Sequence, residues 1–168
     1  MKQKNYIHWT YYESPLGWLK ISGNGGSVAE IEFIEEAPSQ FYSPVPQYLQ
    51  NAAQQLHEYF HHDRKQFDIV LDIKAGTEFQ QKVWMLMQAI PYGRTTSYLK
   101  IAEQLGDKNA VRAVGRAASQ NPIPIVVPCH RVIGLDGSLT GFAYGVDTKR
   151  QLLAIENPKS FGIQQSLF

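Results

Sequence analysis

The hydrophobic pattern changes period part-way along the chain, and this change limits the possible folds more than any other feature. From Ile7 to Phe33 apolar and polar residues alternate in three runs, Ile7–Tyr12, Trp18–Ser22 and Ser27–Phe33. The runs are parted by Ser14-Pro15-Leu16-Gly17 and Gly23-Asn24-Gly25-Gly26. A period of two belongs to a half-buried strand, and short Pro- and Gly-bearing breaks between such runs are hairpin turns. This stretch therefore predicts a three-stranded antiparallel meander. Glu35–Pro46 is polar and reads as a loop. Gln47–His61 then sets Leu49, Ala52, Ala53, Leu56, Tyr59 and Phe60 at helical spacing, which predicts a helix over one face of the sheet. Phe67–Ile73 alternates less cleanly and is either a further strand or an extended linker.

After Lys74 the period becomes helical. Thr77 is placed to cap a helix whose apolar stripe is Phe79, Val83, Leu86, Met87 and Ile90, and Pro91-Tyr92-Gly93 ends it. Ser97–Gly106 is a short amphipathic helix, Asp107-Lys108-Asn109 a tight connector, and Ala110–Ser119 a second helix with Val111, Val114 and Ala118 inward. Two short helices around three polar residues, the second bearing Arg112 and Arg116, form a helix-turn-helix signature, although αα-hairpins of ordinary enzymes share it. The expected class is α/β in the α+β sense, with residues 1–73 an N-terminal sheet and helix and residues 74–168 a mostly helical domain.

The chain has 168 residues, 43% of them hydrophobic, enough to bury a core in one or two small domains. Its single cysteine, Cys129, excludes an intrachain disulfide and fits a reducing compartment, so the cytoplasm is expected. No apolar run near Met1 resembles a secretory leader, and nowhere do eighteen uncharged apolar residues follow one another. The net charge of +1 hides a segregation: residues 1–73 hold 5 Lys/Arg against 9 Asp/Glu, and residues 74–150 hold 10 against 5. The second half is thus the candidate for an anionic partner.

The chemistry concentrates in Asn121-Pro122-Ile123-Pro124-Ile125-Val126-Val127-Pro128-Cys129-His130-Arg131-Val132. An apolar, Pro-bracketed run, read as a buried extended segment, delivers the only thiol beside a histidine. A thiol is a strong nucleophile only as thiolate, which needs a base or neighbouring cations. On an extended chain adjacent side chains point apart, so a water would bridge the two. Taken alone, the pair reads sooner as a small buried hydrophobe and a core histidine, because free cysteine is among the most buried residue types.

Pro128-Cys129-His130-Arg131-Val132, preceded by Arg112-Ala113-Val114-Gly115 and Asn121-Pro122-Ile123-Pro124, resembles the O6-alkylguanine-DNA alkyltransferase family, the methylated-DNA–protein-cysteine methyltransferases. The resemblance spans roughly Gly76 to Glu156, and Lys149–Glu156 is similar to the family's closing helix. It implies a ribonuclease-H-like first domain, a winged-helix DNA-binding second domain, and single-turnover repair of O6-alkylguanine, with O4-alkylthymine a further substrate. Cys129 would accept the alkyl group, His130 take the thiol proton, Glu156 orient the imidazole, Tyr98 protonate the leaving guanine and Asn121 fix the loop. Arg112 would fill the space left by a flipped nucleotide, and Ala113 and Gly115 would admit the minor groove of double-stranded DNA. Val132 and Ala143 would read the base through their backbones. Phe142 and Tyr144 lie in the loop that lids the base; relatives often carry Tyr at the first position and commonly Gly, sometimes an aromatic, at the second. Zinc held by first-domain cysteines in some relatives has no ligands here, so neither metal nor cofactor is expected, and the implied state is a monomer. Other readings are an alkyltransferase-like binder, which would lack the cysteine, a helix-turn-helix regulator and a cysteine hydrolase.

Overall fold

Alternation in the first third builds the sheet directly. A computed structural model describes residues 5–36, 39 and 44–162. Strand β1 (His8–Ser14) pairs antiparallel with β2 (Gly17–Asn24), and β2 with β3 (Ser27–Ile34), in the order β1-β2-β3. The β2–β3 hairpin turns on Gly25 and Gly26 at φ 57° and 90°, which is why this turn needs glycines at both central positions. Helix α1 (Gln47–Phe60) buries Leu49, Ala52, Leu56, Tyr59 and Phe60, and the sheet buries Leu19, Ile21, Val28 and Ile31. The Phe67–Ile73 segment forms a single parallel bridge, Val28 to Leu71, held by Val28 N–H to the Val70 carbonyl (2.9 Å) and Asp72 N–H to the Val28 carbonyl (2.8 Å). Part of the expected Glu35–Pro46 loop, like the Met1–Lys4 segment, lies outside the described residues.

The chain divides into two compact units, Met1–Ala75 and Gly76–Phe168. In the second, α2 (Glu78–Gln88) starts with a full capping box: the Thr77 hydroxyl accepts from Gln80 N–H, and the Gln80 side chain accepts from Thr77 N–H. Its buried face is Val83, Trp84 and Met87, continued by Ile90, whereas Phe79 and Leu86 are half-buried. Trp84, absent from the expected stripe, turns inward because its indole N–H reaches the Ala117 carbonyl at 2.9 Å. Strand β4 (Thr96–Ser97) leads into α3 (Tyr98–Gln104), capped by Ser97. A 3₁₀ turn, Lys108–Ala110, capped by Asp107, carries the chain into α4 (Val111–Ser119), which buries Val114, Ala117 and Ala118. Strand β5 (Val132–Ile133) pairs parallel with β4, and α5 (Val146–Glu156) and α6 (Pro158–Phe161) close the unit.

The segment before Cys129 departs from the extended form expected of it. Val127 N–H donates to the Ile123 carbonyl at 2.9 Å, so the chain turns back on itself, and Ile125 stands at φ 74°. A β-branched residue there carries strain of about 1–3 kcal/mol. Complete burial of Ile123, Ile125 and Val127 holds the turn in place.

Candidate active site

Reversal at Ile125 is what delivers Cys129 and His130 into the core: Cys129–Arg131 form one turn of 3₁₀ helix, all three residues buried. The thiol therefore lies on a turn, where adjacent side chains are not forced to opposite faces. Asn121, at the end of α4, spans the loop. Its amide donates to the Val127 carbonyl (2.7 Å) and to Cys129 Sγ (3.1 Å), and its carbonyl oxygen accepts from Ile123 N–H (3.0 Å). One side chain thus sets the loop and touches the sulfur.

Glu156, the last residue of α5, meets the turn from the other side. Its Oε1 lies 2.6 Å from His130 Nε2 and accepts from Arg131 Nη2 at 3.0 Å. Its Oε2 accepts from Arg131 Nε at 2.9 Å and from Gly93 N–H at 3.1 Å. Burial raises the carboxyl, but the hydrogen bonds from His130 and Arg131 and the Arg131 charge outweigh it and hold the group down at about 2. His130, with no exposed surface, is held below the usual imidazole range by burial and by the cations Arg131 and Lys149, so it rests neutral. A carboxylate only accepts, so His130 Nε2 carries the hydrogen and Nδ1 the lone pair. That Nδ1 is buried and has no hydrogen-bond partner among the described residues.

The Cys129 thiol is raised by burial, an effect opposed by the Asn121 amide and the Lys149 charge. Lys149 on α5 is fully buried and donates to the Val132 carbonyl (2.6 Å), the Thr140 carbonyl (2.8 Å) and Tyr98 Oη (3.2 Å). Burial lowers its ammonium to about 8. Tyr98 in turn donates to the Thr140 carbonyl at 2.9 Å, and burial with the Cys129 charge lifts its phenol to about 12, so it keeps its proton at neutral pH.

Asn121 is therefore bonded to Cys129, and Glu156 to His130 and Arg131, the two sets meeting in the Cys129–Arg131 turn, while Tyr98, Val132 and Lys149 form a second cluster beside them. Phe142, Ala143 and Tyr144 lie in the loop between Thr140 and α5, the two rings edge to face at 5.9 Å. Arg112 and Ala113 are exposed on α4, and no hydrogen bond joins Arg112 to either cluster among the described residues. Gly115 lies on the same helix, and a side chain there would meet the Tyr98 ring at 3.9 Å. Sequence reasoning left Lys149 and Arg131 without roles. A lysine two turns before Glu156 on the same helix face was the available signal for the first.

Two family models divide the chain along the same lines as its two units. Residues 7–73 match the 6-O-methylguanine DNA methyltransferase ribonuclease-like domain, and residues 78–158 match that family's DNA binding domain. The chain belongs to this methyltransferase family. A methylated-DNA–protein-cysteine methyltransferase of Mycobacterium tuberculosis is 43% identical over 157 residues, covering 92% of this chain and 94% of its own. One of Methanosarcina acetivorans is 40% identical over 155 residues, covering 89% and 98%. A crystal structure of Mycobacterium tuberculosis OGT in complex with DNA superimposes with a TM-score of 0.81 at 43% identity, over 90% of this chain and 94% of that one. The α+β architecture, with a ribonuclease-like first domain and a helical DNA-binding second domain, is that of these 6-O-methylguanine DNA methyltransferases. Among the described residues no helix is long and apolar enough to cross a membrane.

Proposed function

We propose that the protein repairs DNA by moving an alkyl group, methyl above all, from O6 of guanine onto Cys129 in one irreversible turnover. The observation that carries this reading is the placing of the chain's only thiol against Asn121 Nδ2 and in the same turn as a neutral histidine tied to Glu156. It agrees with the names of the relatives and with the DNA bound by the mycobacterial protein.

The thiol gives its proton to His130 Nδ1, directly or through a water, and Glu156 stabilises the resulting cation. The sulfur lone pair forms the new S–C bond as the C–O6 bond breaks, and that electron pair returns to the guanine. Tyr98 supplies a proton to guanine N3, leaving its Thr140 carbonyl to do so. The thiol proton held on His130 makes good the phenol through solvent, so protons balance. The product thioether offers no route back to thiol.

An alkylated base reaches a buried sulfur only after flipping out of the stack, at about a few kcal/mol. Arg112, exposed on α4, would fill the gap, while Ala113 and Gly115 would let α4 approach the minor groove closely. The Val132 carbonyl, already engaged by Lys149, keeps a second lone pair for the base, as the Ala143 backbone supplies another contact. Phe142 and Tyr144 would lid the pocket. O4-alkylthymine is a second substrate on this reading, and the protein acts as a cytoplasmic monomer without metal or cofactor.

Intact-mass measurement after incubation with duplex DNA bearing O6-methylguanine tests the proposal. The expected result is one added methyl, on the peptide containing Cys129, with product reaching a plateau at one equivalent per protein. A protein that binds this DNA and gains no mass is a binder, and the proposal is then wrong.

A further inference from the structure

Arg131 is buried beside the reacting groups and has no part in the steps above. It follows Cys129 and His130 in their turn, is 5% exposed, and spreads its guanidinium over three acceptors. Nε and Nη2 take one oxygen each of Glu156, at 2.9 and 3.0 Å, and Nη1 takes the Ile90 carbonyl beyond α2 at 2.6 Å. With His130 and Gly93 added, each Glu156 oxygen meets two donors, which fills the roughly four acceptor sites of a carboxylate. We propose that Arg131 is a positioning residue for alkyl transfer, which locks Glu156 as a carboxylate in a single orientation and thereby fixes His130 in the tautomer whose Nδ1 is free to take the thiol proton. This rests on the roles of Cys129 and His130 given above.

The argument is one of donors and acceptors. A neutral imidazole has one nitrogen of each kind, and the neighbour of one nitrogen decides the character of the other. Were Glu156 protonated or rotated, its hydroxyl could face Nε2, the hydrogen would move to Nδ1, and the base would be lost. A guanidinium excludes both events, because its planar fork matches both oxygens together and its third arm is anchored on a backbone carbonyl. A lysine is a point charge and matches one oxygen at a time.

Arg131 also acts on the ring through its charge. Glu156 and Lys149 face His130 from α5, Cys129 and Arg131 belong to its own turn, and Tyr92, from the connection after α2, lies against the guanidinium with its ring centroid 5.8 Å away. Burial, Arg131 and Lys149 disfavour the imidazolium, whereas Glu156 favours it. Removing the Arg131 charge therefore makes His130 easier to protonate.

Two measurements test this. Nitrogen NMR of the unmutated chain should show His130 neutral with hydrogen on Nε2 from about pH 6 to about pH 8. An Nδ1–H tautomer or an imidazolium there overturns the proposal. Single-turnover methyl transfer should be at least about tenfold slower in Arg131→Gln, with affinity for undamaged duplex retained and the acidic limb of the rate profile moved to higher pH. Arg131→Lys should restore the position of that limb, because it keeps the charge, but not the rate, because it cannot fork. A folded Arg131→Gln protein with the wild-type rate and profile overturns the proposal, and if that variant does not fold the nitrogen spectrum decides alone. Failure of the unmutated protein to gain a methyl would instead refute the underlying transfer reaction, which separates the two.

Discussion

Replacing Lys149 by methionine sets two opposed effects against each other. Burial lowers this ammonium from 10.5 to about 8, which at neutral pH works against the folded state by about 3 kcal/mol, and methionine removes that cost. Against it stand the bonds to Val132, Thr140 and Tyr98. Hydrogen bonds from a charged group contribute about 1.5–3 kcal/mol each, so three are worth about 5–9 kcal/mol and win by about 2–6 kcal/mol. Lys149→Met should therefore unfold at lower urea than the wild type at about pH 7.5. The pH dependence has a definite sign. Between about pH 8 and 10.5 the unfolded lysine still holds a proton that the folded one has released, so wild-type stability gains on the variant as pH rises. Transfer should also slow, since Tyr98 loses a fixed partner. A variant as stable as the wild type at neutral pH, or a gap that narrows with rising pH, would refute the reasoning.

His130→Ala and Glu156→Gln should each slow transfer strongly, and the double variant hardly more, because both serve one proton path; single-turnover rates showing two independent losses would reduce Glu156 to a structural carboxylate. Arg112→Ala should cripple repair of duplex DNA while sparing the free modified base, whereas Tyr98→Phe should slow both; equal losses on the two substrates would deny Arg112 its place in the stack. Glu156, held at about 2 against an ordinary 4.5, gives stability that is present above about pH 4.5 and drains away as pH falls towards 2. Acid unfolding of wild type and Glu156→Gln should converge across that window, and parallel curves would show that the pairing contributes nothing.

Most of the secondary structure was legible because it rests on local chemistry. The meander follows from alternation and Gly25-Gly26, and α2 from the Thr77 cap. Trp84 was misjudged because its burial depends on the Ala117 carbonyl, thirty-three residues away, which no helical periodicity reveals. The Pro124–Pro128 run read as extended because prolines and β-branched residues favour that form. It turns at Ile125 because burial of the surrounding side chains outweighs the local preference. In the site, Cys129, His130, Asn121 and Glu156 were nameable from motif and resemblance. Arg131 and Lys149 were not given roles, since a basic residue in a basic half reads as surface charge until its acceptors are seen.

Helix α5 places Lys149 and Glu156 seven residues apart, two turns, so both point inward from one face with Leu152 and Leu153 between them. The lysine reaches the Tyr98 and Thr140 side, the glutamate the His130 side. Their separation is therefore a ruler built into one rod. Adding or deleting a single residue between them would swing one of the two by about 100° out of the core. Such a change could not loosen the loop that carries Thr140 alone or the histidine alone. The length of this helix segment is consequently less free to vary than its composition, and the two leucines could be exchanged for other apolar residues with far less effect than a shift of register.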